Sequence, residues 1–107
     1  MRVSAWSNGK KIFGISVGTK NRQHFESSKK LGIIKVRIDG HWRDFRLSDG
    51  FWKDCPEFRD SGSAVIHDWL DNHGFLRWTK GKPPQFELTP NGDGRFCLDS
   101  RNLRSLR

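Results

Sequence analysis

The chain has no tyrosine, one methionine, four prolines and two cysteines in 107 residues, and no long apolar run. Cys55 and Cys97 stand far apart, and neither belongs to a Cys-x-x-Cys pair. That excludes a disulfide framework and the paired-thiolate zinc sites built on such spacing. The expectation is no membrane-spanning segment, since one needs roughly 20 consecutive apolar residues. Met1-Arg2-Val3-Ser4-Ala5-Trp6 is not followed by the apolar stretch of a signal peptide. The expected setting is the cytoplasm, with both thiols reduced. A glycine-rich phosphate loop is missing too, because Gly92-Asp93-Gly94 lacks a strand-to-helix context and reads as a turn. Internal repeats and low-complexity tracts are absent.

Acidic residues are in short supply. Twelve Asp and Glu face 20 Lys and Arg, for a formal charge of +8. The excess is uneven: +6 over residues 1–30, +1 over 31–50, −3 over 51–75 and +4 over 76–107. Basic ends around an acidic middle point to an anionic partner, whether nucleic acid, anionic lipid or an acidic protein; the alternative is a surface that only keeps the protein in solution. What the chain does have is eight Phe and five Trp. A disordered chain is poor in these residues, and each buries a large area, so a few positions suffice for a core.

Periodicity supplies the elements. Lys11–Val17 reads as a first strand, with Phe13, Ile15 and Val17 on one face. Thr19 is placed to cap a short helix from Lys20 to about Ser27, anchored by Phe25. The clearest segment is Leu31–Leu47, where two alternating runs flank Asp39-Gly40, a strong hairpin signal because both turn positions need φ > 0. A two-residue turn pairs Ile38 with His41, Val36 with Arg43 and Ile34 with Phe45. These residues and Leu47 form the expected core face. Lys35, Arg37, Trp42, Asp44 and Arg46 form the other, with Lys35 opposite Asp44.

Residues 48–59 read as a connection that Pro56 keeps from being one helix. Ser61 or Ser63 is the expected cap of a helix over about 62–73, with Val65, Ile66, Trp69 and Leu70 as its apolar stripe and Gly74 just past its end. Gln85–Thr89 and Arg95–Leu98 are short strands around a turn at 90–94. The expected fold is α+β, with about five antiparallel strands in a curved sheet packed on one main helix at about 62–73. The expected organisation is one basic domain over 1–100, followed by a basic tail over 101–107 that is a candidate for disorder.

Several strings carry a resemblance: Ala5-Trp6-Ser7-Asn8-Gly9, Phe13-Gly14-Ile15, Phe51 through Arg59, Trp69-Leu70 and Trp78 through Pro84. Together they resemble a group of small, uncharacterised bacterial proteins of about this length, some of the kind carried on mobile gene cassettes. The resemblance spans most of the chain and implies a bacterial cytoplasmic origin. It brings no activity with it.

No catalytic site is legible. His67 and His73 are six apart and fall on different faces of a helix, and Cys55 has no adjacent partner, so neither a metal centre nor a thiol nucleophile is expected, and no cofactor. The most suggestive surface is the outer face of the hairpin. Lys35, Arg37 and Arg46 surround Trp42 there, and single-stranded nucleic acid needs cations for phosphates and an aromatic ring for a base. Lys10, Lys11 and Arg43 complete the candidate set. The expectation is non-enzymatic binding of an anionic partner, nucleic acid foremost. The alternatives are a homo-oligomeric or small-molecule-binding domain, since Trp6, Trp52 and Trp78 fall in segments read as irregular, and a small basic nuclease using His41.

Overall fold

A computed structural model describes residues 1–9 and 11–105. Seven strands form the sheet: β1 (Arg2–Ser7), β2 (Phe13–Ser16), β3 (Ile33–Ile38), β4 (His41–Arg46), β5 (Glu57–Arg59), β6 (Gln85–Pro90) and β7 (Arg95–Leu98). A four-residue helical turn, α1 (Gly18–Asn21), runs into a 3-10 helix at Arg22–Ser28, and the main helix is α2 (Val65–Asn72). The sheet order is β4-β3-β7-β6-β1-β2-β5. Neighbours are antiparallel except β3 and β7, which run parallel with Val36 beside Phe96. The edge strands β4 and β5 curl back until the Phe45 and Phe58 rings meet at 5.0 Å. No ladder joins them among the described residues, so the sheet is a barrel left open along one seam.

The hairpin of β3 and β4 follows from its pattern. Asp39 and Gly40 adopt φ of 49° and 82°, as the tight turn requires. The pairing is Ile38 with His41, Val36 with Arg43 and Ile34 with Phe45, in the expected register. Ile34, Val36, Ile38 and Phe45 are buried. His41 and Arg43 share their face but are exposed, a correction to the expected core face. The core stops short of them, because β4 is an edge strand and a cleft separates its tip from α2.

Seven strands, not about five, and one parallel pair correct the expected sheet. The two missing strands are β1 and β5. In β1 the inward residues are Val3 and Ala5, and Ala is too small to mark an apolar face. β5 has only three residues, below the length at which alternation is readable. It pairs with β2 so closely that a Cβ on Gly14 would meet the Phe58 carbonyl at 2.5 Å. At its other end the main helix begins at Val65 rather than near 62, and neither Ser61 nor Ser63 caps it. The carboxylate of Asp60 reaches past them and accepts from the amides of Ile66 (2.7 Å) and His67 (3.0 Å). It thereby satisfies two of the free donors at the helix start, a role worth about 0.5–2 kcal/mol. Gly74, at φ 77°, ends the helix. The Phe75 amide donates to the Leu70 carbonyl and the Gly74 amide to that of Asp71.

Phenylalanine dominates the interior. Phe25, Phe51, Phe58, Phe86 and Phe96 are fully buried, each removing roughly 150–250 Å² from water. Phe25 of the first 3-10 helix stacks on Phe96 at 4.5 Å and meets Phe51 edge-on at 5.2 Å. Ile66, Trp69 and Leu70 turn α2 onto this core, with Trp69 edge-on to Phe86 at 4.7 Å. Helix and hairpin are tied at the tip, where His73 Nε2 lies 3.0 Å from Asp39. The described part of the basic segment 101–107 includes a 3-10 turn at Leu103–Ser105, and Asn102 just before it accepts from the Gln85 amide at 3.1 Å. Residues 106 and 107 lie outside the described residues. No helix among the described residues is long and apolar enough to cross a membrane.

Candidate nucleic-acid interface

Alternation along β3 and β4 places the outer-face side chains. Arg37 stands directly across from Trp42, Lys35 from Asp44, and Ile33 from Arg46. β7 extends the row, because Arg95 lies beside Lys35 in the parallel register. Trp42 is 42% exposed, unusual for an indole in a strand. Lys35 Nζ donates to Asp44 Oδ1 at 2.9 Å. That exposed pair contributes little to stability, but it offsets the Lys35 charge. Arg37, Arg46 and Arg95 make no ion pair among the described residues. The large exposed apolar side chains, Leu31 at 79%, Ile33 at 45% and Trp42, all belong to this one hairpin and its approach.

The remaining candidates scatter. Lys10 lies outside the described residues. Arg43 and His41 face away from Trp42, into a cleft of about 470 Å³ between β4 and α2 that also holds Asp39 and Asp68. Lys11 is remote from Trp42 in sequence, yet the fold sets it in the same depression as Arg46. That depression, about 930 Å³, lies where the seam between β4 and β5 opens, and Arg59, Glu57, Asp60 and His67 line it as well.

Arg59 is the cation of this cup that other side chains hold in place. Its guanidinium lies 4.7 Å from the centre of the Trp6 ring and donates to Glu57 Oε1 at 2.7 Å. Trp6 and Arg59 are the cross-strand neighbours of Gly14 on either side. The missing side chain lets the indole and the guanidinium meet across β2. Glu57 is 5% exposed at its side chain, and its carboxylate is engaged by Arg59. Asp60 turns both oxygens toward α2, and burial pushes its carboxyl above the ordinary value against the pull of the Ile66 and His67 amides. His67 is held by Asp68 through Nδ1 (2.9 Å) and by the edge of Phe13.

Arg59, Arg95 and Trp6 were not in the candidate set drawn from the sequence. Only the polar–apolar–polar order of Glu57-Phe58-Arg59 after Pro56 hints that Arg59 faces outward on a strand. Its neighbours Arg46 and Lys11 come from distant segments that the curl of the sheet brings together. Cys55 and Cys97 are free thiols. No family model, curated protein or solved structure matches the chain, so a functional reading rests on the chemistry of these surfaces.

Proposed function

We propose that the protein binds single-stranded nucleic acid, without catalysis, through the outer face of the β3–β4 hairpin. The observation that carries this reading is the exposed Trp42 indole directly across the ladder from Arg37, with Arg46 and Arg95 on the same face. A base stacked on such a ring is worth about 1–3 kcal/mol whatever its identity. The guanidinium groups hold phosphates and release counterions, which makes affinity fall as salt rises. An extended strand with its bases splayed suits a pleated face that a duplex cannot lie flat on. The test is a titration with oligothymidylate at several salt concentrations, followed by Trp fluorescence. The expected result is quenching with steep salt dependence, abolished in Trp42→Ala. No quenching at low salt removes the reading.

Leu31, Ile33 and Trp42 favour a second reading, a homodimer closed over this apolar patch on an edge hairpin. Light scattering separates the two. A monomer at the concentration of the titration supports the first, and a dimer that Ile33→Lys dissociates supports the second.

A further inference from the structure

The cup at the seam is concave, and its acids are already engaged. Three cations line it, Lys11, Arg46 and Arg59, against the carboxylates of Glu57 and Asp60. Glu57 is spent on Arg59, and Asp60 on two helix amides. Lys11 and Arg46 make no ion pair among the described residues. Arg59 is pre-organised by Trp6 and Glu57, yet its side chain stays 41% exposed. Only one of its amino groups is used on Glu57. A guanidinium fixed by stacking with donors left over loses less entropy on meeting a phosphate than a free lysine does.

Arg46 belongs to both surfaces. It is on the outer face of β4, four residues from Trp42, or about 13 Å at ~3.3 Å per residue. A strand stacked at Trp42 and following β4 therefore runs past Arg46 to the seam. We infer that a backbone phosphodiester of the bound single strand sits in this cup, held by Arg59 and Lys11 and handed on by Arg46. The inference rests on the reading of the outer face given above, and it gives the bound strand a path: Trp42, Arg46, then the cup. The path predicts that a short oligonucleotide reaching only from Trp42 to Arg46 binds independently of Lys11 and Arg59, whereas a longer one depends on them.

The experiment compares a short and a longer oligothymidylate against the wild type, Lys11→Gln and the double variant Glu57→Gln with Arg59→Gln. The double variant removes both charges together, so no buried carboxylate is left unpaired. For the longer strand we expect affinity to drop about threefold in Lys11→Gln and about tenfold in the double variant. The log–log salt slope should fall by roughly 0.7 for each phosphate no longer neutralised. The short strand should bind all three proteins alike, and circular dichroism should show each variant folded. If the wild type binds both strands and the cup variants bind the longer one unchanged, the cup is not on the path and this inference fails while the outer-face reading stands. If the wild type binds neither strand, both fail.

Discussion

The two faces of β4 carry similar cations in different surroundings. On the cleft side, Arg43 and His41 look toward α2, and Asp39 and Asp68 share the lining. On the outer side, Asp44 answers Lys35, but Arg37, Arg46 and Arg95 have no carboxylate partner among the described residues. The chain's charge of +8 therefore does not by itself say where an anion goes. An anion entering the cleft meets two carboxylates within the same walls, each bonded to a histidine ring (Asp39 to His73, Asp68 to His67), and like-charge contact is what makes a wrong docking site costly. An anion on the outer face meets guanidinium groups and a flat ring. Compensation, more than the count of basic residues, distinguishes an interface from a solvated face.

The sharpest test of the two faces is stability against binding at Phe45 and Trp42, three residues apart on one strand. Phe45 is buried against Phe58 at the seam. Truncating it to Ala should cost about 3–5 kcal/mol, as large-to-small core changes do, and urea unfolding would read this as a lower midpoint. Trp42→Ala should change stability by no more than about 0.5 kcal/mol, as exposed positions do, while abolishing stacking. A large drop in stability in Trp42→Ala would mean the indole packs against the fold and does not wait for a base.

How much of this was legible in the sequence follows the same divide. The hairpin was readable down to its register because alternation, an Asp-Gly turn and the Lys35–Asp44 pair all agree. Helix α2 was readable from Ile66, Trp69 and Leu70, and its end from Gly74. Its start was not, because the cap comes from Asp60, across an intervening Ser61-Gly62-Ser63 that looks like the better candidate. The sheet closure was also hidden. It depends on Gly14 admitting β5 and on β3 meeting β7, pairings across long sequence separation that no local pattern encodes. The cup inherits that obscurity, since Lys11, Arg46 and Arg59 become neighbours only once the edges curl together.

Charge reversal on each face gives a smaller and more selective effect. Arg37→Glu should weaken oligonucleotide binding by on the order of tenfold and lower the salt slope by about 0.7 or more, because attraction to a phosphate becomes repulsion. Arg43→Glu changes the net charge equally but points into the cleft, so affinity should stay within about twofold of wild type, the small long-range remainder that salt screens. Fluorescence titration at two salt concentrations is enough. Equal weakening in the two variants would show that only overall charge matters, and the contrast between the faces would collapse.

The smallest effect is the most discriminating, because its two readouts have opposite signs. Asp44 is the one carboxylate that answers a cation of the outer face directly among the described residues, through Lys35 at 2.9 Å with both side chains about half exposed. Asp44→Asn keeps the shape and removes the charge. Stability should drop by about 0.5 kcal/mol or less, the scale of an exposed cross-strand pair. Affinity for oligothymidylate should rise by about two- to threefold at low salt, because Lys35 is released to a phosphate and a repulsive carboxylate is gone. If affinity falls instead, Asp44 holds Lys35 in position for its phosphate. The outer face would then be a pre-organised site like Arg59 with Glu57, not a set of free cations.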